Sequence, residues 1–350
     1  MAKKTKTSSG ARPTPGGTKQ EASWPWIALL GGLLLLVAVM VILSLLPKKQ
    51  SNTPTDQTTL PSVAPGVTAP VVDDSDTKTM RVVKAGTAYV EKKETAGTVF
   101  SLRKGDLVEV VEMDAQWVTI AVDGRGYYLP RNMVRALDEH VIVIDAGHQL
   151  REDIGKEALG PGSSDEVQKM DVGHAGVETG QQEYDVTMSV ARLLKDELES
   201  RGYTVYLTRS NHAVNISNKE RSEVANNLYA DAYISLHTGF DKDSTVRGPG
   251  AICQTEKNSY ISSLYADNKA LCTSILDALV KTTENKNRDI QETDALAGIN
   301  WCQVPMALIE LGCLSNKDED RLLSGQAYHE KLSLGIANGL DAFFAEKEKK

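Results

Sequence analysis

The stretch Val141-Ile142-Val143-Ile144-Asp145-Ala146-Gly147-His148, VIVIDAGH, is a β-branched run that ends in an acid, two small residues and a histidine. Such a run predicts a strand buried on both faces, as in a parallel sheet. Taken alone, its end reads as a chain leaving the core through a glycine turn, with His148 on the surface. Two other apolar runs end in a similar way. AYISLH (232–237) closes on His237, and MALIELG (306–312) carries Glu310. In an open α/β sheet the ligand crevice lies outside the carboxyl ends of the strands. Three such endings therefore converge on one edge, which separate surface roles do not explain.

The surrounding sequence alternates strand and helix. Residues 184–200 place Val186, Val190, Leu193, Leu194 and Leu198 on one helical face, stopped by Gly202. A strand follows at 203–209, and Ser217 with Glu220 reads as a capping box opening a helix to about Tyr229. Strands are expected at 231–237, 250–253 and 304–312, with helices at 259–283 and at the C-terminus. The predicted fold is an α/β catalytic domain over residues 140–346, with a mostly parallel sheet flanked by helices.

Two imidazoles, His148 and His237, need a third, anionic ligand to hold zinc with one position left for water. Glu183, in GQQEYDV at the start of the first helix, is the leading candidate, and Asp185 is its neighbour and rival. A carboxylate at a helix N-terminus also serves as a cap, so the residues alone leave the choice open. Glu310 is then the non-ligand carboxylate available to carry a proton. Asp145 is expected to support His148. Arg209 and Arg221 read equally as structural ion partners and as substrate contacts.

In order, VIVIDAGH, Gly180-x-x-Glu183 leading into a helix, GYTVYLTR, Arg221 with Ala225-Asn226, ISLH and ALIELGCLSN resemble the zinc-dependent N-acetylmuramoyl-L-alanine amidases, the type-3 amidase family. The resemblance covers nearly all of residues 140–346. It implies that His148, Glu183 and His237 hold Zn²⁺ and that Glu310 is catalytic. It also implies a peptidoglycan substrate, cut at the amide between N-acetylmuramic acid and L-alanine. Two other readings fit the fold: a non-catalytic wall-binding or regulatory protein, and another zinc hydrolase of the wall, such as a carboxypeptidase or a sugar deacetylase. One departure is the connection 149–182, which starts with Gln149 where the family has glycine and is rich in Gly, Ser and acids. It reads as a long loop, a lid or binding element. Its His174 reads as solvated or substrate-facing, with a fourth metal contact as the alternative.

The first part of the 350-residue chain differs in character. Residues 1–25 form a basic tail carrying Lys3, Lys4, Lys6, Arg12 and Lys19, and the stretch 26–46 is uncharged. At 1.5 Å per residue this stretch reaches roughly 31 Å as a helix, enough for a bilayer core. Trp24 and Trp26 stand at its entry, and Lys48 and Lys49 at its exit. It reads as a single N-terminal transmembrane helix, held in the lipid bilayer, with no small-x-small cleavage site after it. The excess of basic residues before the span places the N-terminus in the cytoplasm and the catalytic domain outside.

Residues 47–79, rich in Thr, Pro and Ser, read as a disordered linker. Short apolar runs separated by turns over 80–137 predict a small all-β barrel. Lys104-Gly105-Asp106, Gln116-Trp117, Gly126-Tyr127 and Met133-Val134 resemble the bacterial SH3-like domain, which implies binding to wall peptides; a plain spacer is the alternative. The net charge of −8 offers no basic face for nucleic acid. The four cysteines, Cys253, Cys272, Cys302 and Cys313, lack the spacing of a zinc site, and the sequence selects no pairing.

Overall fold

The computed structural model describes residues 69–349. The basic tail, the expected span 26–46 and most of the linker lie outside the described residues. Among the described residues, no helix is long and apolar enough to cross a membrane.

The first strands are β1 (Lys78–Val82), β2 (Gly86–Tyr89), β3 (Thr98–Leu102), β4 (Leu107–Met113), β5 (Trp117–Val122), β6 (Arg125–Pro130) and β7 (Val134–Ala136). They form one seven-stranded sheet in the order β3-β2-β6-β5-β4-β1-β7, with every pairing antiparallel. The two-residue Asp123-Gly124 turn closes the β5–β6 hairpin, and its positive φ angles suit the twist of the strands. Alternate residues, among them Met80, Val82, Val108, Val110, Val118 and Ile120, make one core. Residues 69–77, assigned to the linker above, lie against this sheet. Val71 bridges Arg125, and the Arg125 guanidinium donates to the Ala69 carbonyl.

The second sheet has the order β11-β8-β12-β15-β13-β14. Its strands are β8 (Val141–Ala146), β11 (Thr204–Leu207), β12 (Ala232–Gly239), β13 (Gly250–Cys253), β14 (Ile290–Glu292) and β15 (Met306–Cys313). All its pairings are parallel except β13 against β15. β9 (Asp153–Ala158) and β10 (Glu166–Met170) make a separate antiparallel pair. The helices are α1 (Glu183–Ser200), α2 (Asn218–Asn227), α3 (Tyr265–Thr283), α4 (Ala297–Asn300), α5 (Lys317–Leu323) and α6 (Gln326–Glu348).

Period-2 alternation decides where the site lies. Ile142, Ile144, Ala232, Ile234, Leu236, Ala307, Ile309 and Leu311 point to one face and are buried among residues of α1, α3 and α6. The opposite face carries Val141, Val143, Tyr233 and Met306, covered in part by α2 and α4. Continued along each strand, that second face presents Asp145, Ser235, His237 and Glu310. β8 is seated by Asp231, whose buried carboxylate accepts from Val141 N and pairs with Arg81 and Arg135 of the first sheet.

The connection 149–182, expected as a long loop, is corrected to a hairpin with a tail. Its alternating residues pair as β9 and β10, and the hairpin is fastened to the body at several points. Trp301 Nε1 donates to the Ala158 carbonyl and Asn300 Nδ2 to that of Leu159. Glu157 accepts from Lys219 N, in the first turn of α2. The cysteines are all free and buried.

Candidate metal centre and active site

His148 follows β8 in the left-handed region, at φ 60°. A non-glycine residue there costs about 1–3 kcal/mol and persists only where its surroundings dictate it. Two buried arginines supply that constraint. Arg209 donates to the carbonyls of Ala146, Gly147 and Tyr184. Arg221 donates to Asp145 Oδ1 and to the carbonyls of Ala146 and His148. Gln149, the departure from the family pattern, is fully buried; its Oε1 accepts from Arg221 and from Ile216 N. Gly147 is required by crowding, since a Cβ there would lie 2.5 Å from both His237 Cε1 and the Leu236 carbonyl.

These constraints bring His148 and His237 together with Glu183. His237 Nδ1 lies 3.1 Å from His148 Nε2 and 3.3 Å from Glu183 Oε1, and His148 Nε2 lies 3.2 Å from that oxygen. The three donors make a nearly equilateral triangle. Tetrahedral zinc with ligand bonds of about 2.0–2.1 Å sets its donors about 3.3–3.4 Å apart. Two imidazole nitrogens and a carboxylate oxygen at this spacing fit such an ion. Glu183 is buried, and its Oε1 also accepts from Thr238 N at 2.8 Å. Asp185, the rival from the sequence, is directed instead to His212.

The charges match this purpose. Burial pushes the Glu183 carboxyl up, but hydrogen bonds from His148, His174 and His237 outweigh it and hold the group well below the usual carboxylate range. Burial also disfavours the His148 imidazolium, yet its bonds to Asp171 and Glu183 carry it up to about 10. A cation entering the triangle therefore replaces a proton, because a metal needs the neutral imidazole.

The partner that orients His148 is not the one expected. Asp145 does not contact it; Asp145 accepts from Thr208 Oγ1, Ser235 Oγ and Arg221. The His148 Nδ1 partner is Asp171, at 2.6 Å, on the segment after β10. A carboxylate on the second nitrogen fixes the tautomer and ring orientation of a ligating histidine. His174 stands at the rim, half-exposed and stacked on Phe240 at 4.4 Å, with Nδ1 3.7 Å from Glu183 Oε2.

Glu310 is paired in register with His237 on the neighbouring strand. Together with the triangle it lines a cavity of about 330 Å³, whose floor includes Tyr233, Ile252, Ile299, Met306 and Leu308. Three donors that could hold a metal ion, a separate carboxylate and a cavity of mixed polar and apolar lining make a site suited to hydrolysis.

The sequence pattern of the family described as Amidase_3, N-acetylmuramoyl-L-alanine amidase, matches residues 142–342, more than half of the chain. The chain belongs to this family. The amidase is 28% identical over 196 residues to the germination-specific N-acetylmuramoyl-L-alanine amidase of Bacillus subtilis, covering 51% of this chain and 79% of that one. It is 25% identical over 185 residues to the probable cell wall amidase LytH of Staphylococcus aureus, covering 50% and 57% of the two chains. In fold it is similar to the crystal structure of Ami1, the N-acetylmuramyl-L-alanine amidase of Mycobacterium smegmatis. The TM-score is 0.53 at 20% identity, over 59% of this chain and 97% of that one. The amidase is a cell-wall hydrolase acting on peptidoglycan.

Proposed function

We propose that this amidase uses zinc, held by His148, Glu183 and His237, to hydrolyse the amide between N-acetylmuramic acid and the L-alanine of the stem peptide, with Glu310 carrying the proton. The observation that supports this most directly is the triangle of donors at 3.1–3.3 Å with Glu310 in register beside it. A bound zinc ion would polarise the scissile carbonyl and acidify a water at neutral pH. Glu310 accepts a proton from the attacking water as its oxygen bonds to the carbonyl carbon. It returns that proton to the nitrogen as the C–N bond breaks, so the carboxylate is regenerated. Asp171 holds His148 in the tautomer that offers Nε2 to the metal, and Thr238 N fixes Glu183 Oε1.

Product analysis tests the reading. Purified peptidoglycan digested with the full-length protein should release intact stem peptides beginning with L-alanine. A chelator should stop the reaction and added zinc should restore it. Free D-alanine would point to a carboxypeptidase, free acetate to a deacetylase, and no product to a non-catalytic role; each of these would overturn the proposal.

We also propose that residues 26–46 anchor the chain in the membrane with the N-terminus cytoplasmic, and that residues 80–137 are an SH3-like unit facing the wall. The uncharged length of the first segment, its flanking tryptophans and the turn-separated strands of the second support this. Protease added to wall-stripped intact cells should degrade residues 80–350 and spare an epitope placed before residue 20. Protection of the catalytic unit would refute this topology.

A further inference from the structure

Arg209 and Arg221 each hold several carbonyls of the strand-end loop. Arg288, in the segment between α3 and β14, is differently placed. Its guanidinium has one hydrogen-bond partner among the described residues, Oε2 of Glu310, to which Nη2 donates at 2.8 Å. Both side chains are largely buried, and Nη1 is buried without a partner. The guanidinium lies over Gly239, where a Cβ would collide with Nη1. Burying a cation with one of its amino groups unpaired is costly, and the one side-chain hydrogen bond that offsets it among the described residues is to Glu310.

We infer that Arg288 is a positioning residue of the hydrolysis: it pins Oε2 of Glu310 and leaves Oε1 as the oxygen that takes and returns the proton. The inference rests on the reading of Glu310 as the proton carrier. Glu310 has no other hydrogen bond among the described residues, so without Arg288 its carboxylate would sample several rotamers. A small misplacement of a proton-transfer group is enough to slow turnover severely. Because the arginine touches neither the histidines nor Glu183, its loss should leave the metal triangle intact.

The test compares Arg288→Met and Arg288→Lys in the full-length protein on a soluble muropeptide. For Arg288→Met, kcat should fall about 10- to 100-fold, with KM within about twofold of wild type and zinc content unchanged. Arg288→Lys should lie between it and wild type, and added guanidinium ion should restore part of the Arg288→Met rate. The inference fails if Arg288→Met turns over within about twofold of wild type. It fails equally if both variants lose zinc or folded structure, or if neither lysine nor guanidinium recovers rate, since the arginine would then be structural. An inactive wild-type protein would instead sink the reading of the site itself.

Discussion

Glu310→Gln should lower kcat about 10³-fold while the protein keeps its zinc. Glutamine has the size of glutamate and can still accept from Arg288 through its amide oxygen, so the local packing and the strand register should survive. It cannot accept and return a proton at neutral pH, and positioned proton transfer is worth roughly 10²–10⁴-fold. The three metal donors do not include Glu310, so metal content should stay near one zinc per chain. His237→Ala should behave in the opposite way, losing metal and activity together, because it removes one corner of the triangle. Turnover measured beside elemental analysis of each purified variant separates the two signatures. If Glu310→Gln digested peptidoglycan at the wild-type rate, the proton would have to travel by another residue.

The sheet was legible because each of its central strands carries its own signal. VIVI (141–144) and MALI (306–309) are apolar without a break and AYISL (232–236) is broken only by Ser235, as expected of strands covered on both faces, and their order with the intervening helices favours parallel pairing. One helix start was legible from its cap, since Ser217 and Glu220 close the expected capping box; Asn316 caps another, accepting from the N–H groups of Asp318 and Glu319. The connection 149–182 misled because its turn, GPGSS at 160–164, and its many acids outweigh a short alternation in residues 153–158 and 166–170. The hairpin is fastened to the body through Trp301, Asn300 and the start of α2, contacts that no local pattern announces.

The residues around the metal triangle were illegible for a related reason. Asp171 lies in a polar segment and is reached from His148 only across the fold of that hairpin. Arg288 sits in NKNRDI, a stretch that reads as a solvated turn, yet the antiparallel entry of β13 beside β15 brings the neighbouring segment onto Glu310. Asp145 presents the converse case. It is only three residues from the histidine in sequence, but its carboxylate is taken up by Arg221, Thr208 and Ser235 instead of the ring.

That last pair carries the largest expected effect on stability. Arg221→Met should destabilise the protein by about 3–5 kcal/mol, because it leaves the buried Asp145 carboxylate without its cation. For a unit of this size that corresponds to a fall in Tm of about 10 °C. Burial pushes the Asp145 carboxyl up, but Arg221 and Thr208 outweigh it and hold it at about 2, below its ordinary value. A depressed carboxylate contributes stability that is present above the unfolded-state pKa of about 3.9 and is lost as pH falls toward 2. In Arg221→Met the main lowering influence is gone and burial prevails, so the folded state should favour the protonated acid. The variant then loses stability as pH rises through about 4, where the wild type gains it. Denaturation of the metal-free proteins should therefore show a small difference at pH 3 and the full difference at pH 7. An equal Tm deficit at both pH values would mean that the loss comes from packing and from the freed carbonyls of the His148 loop. The buried charge of Asp145 would then not be its origin.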